Sequence, residues 1–96
     1  MYVGFLIVSP IDKGTSLSRY VRKGIEAIRE TGIEHQVTAM GTIVQSGSIQ
    51  EIFDAAEAAA EAIHREGSDR ISLSLKIDIR HDKDITMASK LGAVGE

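Results

Sequence analysis

Apolar positions along the chain change period several times, and each change predicts a new element. Residues 2–9, YVGFLIVS, form a β-branched and aromatic run closed by Pro10, the only proline. The run is too short for a typical helix and predicts a central strand with apolar residues on both faces: Val3, Phe5 and Ile7 on one, Gly4, Leu6 and Val8 on the other. After the loop SPIDKGT, Ser16 can cap a helix that runs to about Thr31 and is stopped by Gly32. Leu17, Tyr20, Val21, Gly24, Ile25 and Ile28 recur on it at three-and-four spacing, giving one buried stripe. Residues 35–39 and 42–46 read as two short strands joined at Met40-Gly41, without the Asn-Gly or Asp-Gly pair that marks a tight hairpin.

Ser48-Ile49-Gln50-Glu51 has the form of a capping box and predicts the start of a second helix. Its expected stripe is Ile49, Ile52, Phe53, Ala56, Ala60 and Ile63, and its end is Gly67. RISLSLKIDIR, residues 70–80, then alternates strictly. With Ile71, Leu73, Leu75, Ile77 and Ile79 toward the helices, Ser72, Ser74, Lys76 and Asp78 line the other side. Residues 84–92 predict a short terminal helix.

The order βαββαβ plus a tail predicts an α+β, ferredoxin-like domain spanning residues 1–96: a four-stranded antiparallel sheet, two helices on one face and a short C-terminal helix. The second sheet face is left open. Leu6 and Val8 are expected on that face, where they would meet water in a monomer, so a homo-oligomer built partly on the sheet is expected.

Ninety-six residues suffice for one modest core, and 43% hydrophobic with 26% charged residues suits a soluble chain without a membrane span. The apolar start lacks a basic leader, so no signal peptide is expected. Zero cysteines remove disulfides and thiolate chemistry, and a cytoplasmic location follows as the expectation. Net charge is −3, with nine acids against two bases in residues 25–69. That balance, two Phe, two Tyr and no Trp argue against a nucleic-acid partner. His35, His64 and His81 have no metal-ligand spacing, and no Ser-His-Asp set assembles. Lys13-Gly14-Thr15-Ser16 is only loosely like a phosphate loop.

Several local signatures coincide: the strand ending in Pro10, Ser16-Leu17-Ser18-Arg19-Tyr20-Val21, Thr38-Ala39-Met40-Gly41-Thr42, and Gly67-Ser68-Asp69-Arg70-Ile71 leading to Lys76-Ile77-Asp78-Ile79-Arg80. Together they resemble the small thiamine-binding family related to YkoF, across nearly the whole chain. The resemblance implies a homotetramer of ferredoxin-like subunits that binds thiamine, or a thiamine-related pyrimidine, without catalysis, in vitamin uptake, carriage or salvage. No other cofactor is expected, and the histidine spacing gives no metal site. Ser18 and Met40-Gly41-Thr42 occupy matching motif positions, as do Lys76, Asp78 and Arg80. Where the family pattern continues to Glu-Gly, this chain has Gln45-Ser46-Gly47, which replaces a carboxylate that could face a cationic thiazolium by an amide. The expected ligand contacts are Ser18, Met40, Gly41, Thr42, Gln45, Ser74 and Asp78, with Gly41 leaving room for a ligand ring beside the backbone. Two other functions suit the same fold. An acylphosphatase-like hydrolase would need an arginine in the first βα loop, which Ser9 to Thr15 lacks. A small-molecule-sensing regulatory domain would hold its ligand between subunits.

Overall fold

The computed structural model describes residues 1–96. Strand β1 spans Tyr2–Pro10, helix α1 Ser18–Glu30, β2 Glu34–Val37, β3 Thr42–Ser46, α2 Ile49–Arg65, β4 Ile71–Asp78 and α3 Met87–Ala93. The sheet has the order β2-β3-β1-β4, all antiparallel, which is the ferredoxin-like arrangement. The doubly apolar first strand is central, paired with β3 and β4, as its composition predicts.

Which of its faces is covered differs from the expectation. Leu6 is buried in the core with Val44, Ile28 and Ile52, and Tyr2 and Val8 pack beside it, whereas Ile7 is 41% exposed. The open face therefore carries Val3, Phe5 and Ile7, not Leu6 and Val8. Gly4 explains the choice: a Cβ there would lie 3.3 Å from Val44 Cγ2 and 3.4 Å from Ile52 Cγ2. Its missing side chain lets α2 settle close against the sheet, so the glycine marks the helix-covered side.

The helices follow their apolar stripes with local changes. On α2 the buried set is Ile52, Ala55, Ala56, Ala59 and Ile63, while Phe53 is 45% exposed and Ala60 only partly covered. On α1 it is Tyr20, Gly24, Ala27 and Ile28. A Cβ on Gly24 would meet Ile63 Cδ1 at 3.3 Å, so small residues set the helix spacing here too. Neither expected serine cap forms. Leu17 occupies the N-cap of α1, and at α2 the Ser46 hydroxyl donates to Glu51 Oε2 at 2.5 Å while accepting from Ser48 N at 3.0 Å. The capping box lies instead at α3, between Thr86 and Ser89.

Asp12 ties the two loops at one end of the sheet. Its Oδ1 accepts from Ser68 Oγ at 2.6 Å and its Oδ2 from the Asp69 amide at 2.9 Å. These bonds, the Ser68 hydroxyl first, hold the Asp12 carboxyl below the usual aspartate range. A depressed folded-state pKa gives stability that is complete above the unfolded aspartate value of ~3.9 and is lost as pH falls through the folded value. The Tm of the native chain should thus fall more steeply below pH ~4 than that of Asp12→Asn. Parallel Tm curves over that range in thermal melts would contradict this linkage.

Candidate functional site

The turn between β2 and β3 is where the chain departs from hairpin convention. Thr38 N donates to Gly41 O at 2.8 Å, leaving Ala39-Met40 as a two-residue loop with no residue at positive φ. The Thr38 hydroxyl completes it, donating to Gly41 O at 2.8 Å and accepting from Met40 N and Gly41 N at 3.2 Å each. A threonine side chain here takes the part usually played by Asn-Gly backbone geometry.

This hairpin stands away from α1, and a cleft of about 200 Å³ lies between them. Val21 and Ile25 of α1 form one wall and Val37 to Thr42 the other, with Gly24 and Ala59 at the floor and Ser9 at the end of β1. The lining is mostly apolar, punctuated by the side chains of Ser9, Thr38 and Thr42 and by main-chain groups. No carboxylate lines it. Met40 is 77% exposed at the rim, a large apolar side chain with nothing to cover it. A neighbouring groove shares Val21, Ile25 and Val37 and adds Ser18, Arg22, Glu26 and Arg29.

The structure thus brings Met40, Gly41 and Thr42 to one cleft with Ser18 in the groove beside it. Gln45, Ser74 and Asp78 lie on the open sheet face. Gln45 is buried there: its Nε2 donates to Glu34 Oε2 at 2.5 Å and its Oε1 accepts from Met87 N at 2.7 Å. It joins β2 to the first turn of α3. Asp78 is ion-paired with Lys90 of α3, and that hydrogen bond holds its carboxyl below the usual range. Ser74 is exposed in mid-strand, opposite Ile7. A shallow basin on this face is lined by Val3, Phe5, Ile43, Lys76, Asp78 and Lys90.

Gly41 also has a different neighbour from the one expected. A Cβ there would lie 2.7 Å from Phe5 Cζ and 2.9 Å from Leu6 O, so the ring that the glycine admits is the protein's own. Sequence reasoning placed Val21 and Ile25 in the core and passed over Ser9 and Thr38. The separation of Thr38 from Gly41 by two residues was the available signal for the side-chain-closed turn.

No group of His, Asp and Glu side chains is arranged to hold a metal ion, and no helix is long and apolar enough to cross a membrane. The sequence is 36% identical over 97 aligned positions to the UPF0045 protein of Methanothermobacter thermautotrophicus, covering 100% of this chain and 98% of the relative. A crystal structure of a hypothetical protein from Methanocaldococcus jannaschii matches with a TM-score of 0.89 at 37% identity, over 98% of this chain and 95% of that one. Another, of a candidate thiamine biosynthesis/salvage protein from Thermotoga maritima, matches with a TM-score of 0.81 at 25% identity, over 97% of each chain. The sequence profile of the thiamine-binding proteins matches residues 5–95, and the chain belongs to that family.

Proposed function

We propose that this protein binds thiamine or a thiamine-related pyrimidine, without chemical conversion, in the cleft between α1 and the β2–β3 hairpin. Family membership supports the ligand class, and the observation that carries the location is the mostly apolar cleft with hydroxyls on its wall. A flat aminopyrimidine fits such a lining: its faces pack against Val21, Ile25 and Met40, and its ring nitrogens and amino group exchange hydrogen bonds with Ser9, Thr42 and main-chain groups. The cationic ring then points out of the cleft toward the Ser18 groove, where Glu26 supplies negative charge and Arg22 and Arg29 favour a phosphate on the far end. Asp78 is less suited to the cation, because Lys90 already neutralises it.

The open face supports a homo-oligomer. Phe5, Ile7 and Ile43 form an apolar strip that α3 leaves uncovered, and packing two such faces together would bury it. With a second kind of contact the assembly closes as a homotetramer.

Calorimetric titration with thiamine, thiamine phosphates and hydroxymethylpyrimidine tests the ligand. Thr42→Val keeps the volume of a side chain that is 4% exposed, and is expected to weaken binding ~5-fold, the worth of one hydrogen bond of about 1 kcal/mol. Absence of heat with all of these compounds, using folded protein, would overturn the reading. Sedimentation of a monomer at micromolar concentration would overturn the assembly.

A further inference from the structure

At the side of the sheet away from β4, β2 is an edge strand with a groove beside it. Its register with β3, and the bond from Thr38 N to Gly41 O that closes the hairpin, fix which main-chain groups are used. Hydrogen-bonded and non-hydrogen-bonded pairs alternate along an antiparallel ladder. Thr38, Gln36 and Glu34 therefore bond to β3, and the main-chain N–H and C=O groups of Val37 and His35 point outward, where no strand of the chain takes them. On the helix-facing side the groove is walled by Val21 and Ile25 of α1 and by Val37, which is 45% exposed. Arg22 and Arg29 line the same groove, and neither forms an ion pair within the chain. Glu26, the one acid in the lining, is already held by Lys23 at 3.6 Å.

We propose that this edge and groove receive an extended acidic segment of a partner protein, added antiparallel to β2. A strand laid there bonds its main chain to Val37 and His35, and every second side chain enters the groove. An apolar side chain opposite Val37 packs among Val37, Val21 and Ile25. The short turn from Thr31 to Ile33 sends β2 back along α1, so Arg22 sits toward the end of the strand and Arg29, in the last turn of the helix, toward its start. The two arginines are ~10.5 Å apart along the helix axis. Carboxylates placed two residues before and two after the apolar one are ~13.6 Å apart along a strand, a difference that the long arginine side chains cover. The segment that fits thus reads acid-x-apolar-x-acid. A basic segment would meet two uncompensated arginines, and a wholly apolar one would desolvate them. The intervening side chains fall on the open-face side beside Gln36 and Glu34, where like charge is unfavourable and neutral residues fit. With only two outward residues, the edge holds a partner through main-chain bonds and groove contacts together, which is what makes it selective.

Titration of the full chain with the peptide acetyl-Thr-Asp-Thr-Val-Thr-Asp-Thr-amide tests the docking. No thiamine compound is present, so the outcome stands apart from that of the cleft. Saturable binding is expected. Arg22→Glu and Arg29→Glu should each weaken it about fivefold, and the double variant should instead bind the peptide that carries lysine in place of both aspartates. N-methylation of the peptide valine sets a methyl between the two strands and should abolish binding. The same change on the threonine after it, whose amide points to solvent, should leave affinity unchanged. His35→Pro removes an outward amide that β3 does not use; it should weaken binding with far-UV circular dichroism unchanged. No saturation at millimolar peptide, equal affinity of the two methylated peptides, or indifference to the arginine charges would overturn the proposal. Sedimentation showing that His35→Pro dissociates the native chain would overturn it as well, because the edge would then belong to a second copy.

Discussion

Gly41→Ala is expected to lower Tm by about 10 °C, the equivalent of ~1–3 kcal/mol of overpacking in a chain of this size. The added methyl would sit 2.7 Å from Phe5 Cζ, 2.9 Å from Phe5 Cε1 and 2.9 Å from Leu6 O. A ring can turn away, but the carbonyl belongs to a residue paired with Thr42 in the β1–β3 ladder, and it moves only if the register there loosens. Phe5 and Gly41 form an aromatic–glycine contact across neighbouring strands, in which the ring covers backbone that a side chain would otherwise shield. The Phe5→Leu variant separates the two clashes. Combined with Gly41→Ala it should lose less than the sum of the single changes, because a shorter side chain leaves the methyl more room. Strictly additive melting temperatures, or a single variant within 2 °C of the native chain by the same ~1 kcal/mol scale, would show that the close approach does not govern the turn.

This contact also bears on ligand binding. Gly41 and Thr42 line the cleft, so a shift of the β3 backbone alters a wall of the proposed site. Loss of affinity in Gly41→Ala would therefore follow from distortion of the hairpin, whereas loss in Thr42→Val follows from one missing hydroxyl with the wall in place.

Much of the architecture was legible because it rests on period and punctuation. The strict alternation of residues 71–79, the alanine-rich stripe of α2 and the doubly apolar run before Pro10 gave element types and order, and the split βαβ topology followed. What alternation cannot reveal is which side of a strand is covered when both are apolar. That answer lay in Gly4, whose small size matters only once α2 is known to pack against it. The serine caps failed for a similar reason: Ser46, a strand residue, competes successfully for Glu51, and pattern matching over four residues does not see it.

The site was legible only in part. Met40-Gly41-Thr42 stood out because a glycine interrupts two extended runs, and these residues do line a cleft. Gln45 is near them in pattern but on the opposite sheet face, since an odd step along β3 reverses the side, and Ser74 and Asp78 share that open face through their register with Ile7 and Val3. Val21 and Ile25 belong to the same apolar stripe as the core residues of α1, and only the way the hairpin projects beside α1 makes them a wall rather than interior packing.

Gln45→Glu is expected to cost about 2 kcal/mol at pH 7, or roughly 10 °C in Tm, although it introduces the carboxylate that the resemblance led one to expect at this position. In this chain the amide donates to the Glu34 carboxylate at 2.5 Å, a charge-assisted bond made by a residue only 7% exposed. Glutamate can still accept from Met87 N, so the start of α3 keeps its partner. Toward Glu34, however, it offers a second carboxylate in place of a donor. Two such groups cannot both ionise comfortably, so the pair would bind a proton more tightly folded than unfolded. A raised folded-state pKa adds stability as pH falls, which means the deficit of the variant should be largest at neutral pH and shrink toward pH ~4.5. Glu34→Gln in the same chain reverses the donor and acceptor and should recover most of the loss at pH 7. A variant as stable as the native chain at pH 7, or a deficit that neither acid nor Glu34→Gln relieves, would mean that Gln45 does not hold β2 through this bond. Recovery in both would instead show that the amide matches an acidic neighbour on β2, so that its presence reflects the pairing of Glu34 and Gln45 on the open face rather than the ligand in the cleft.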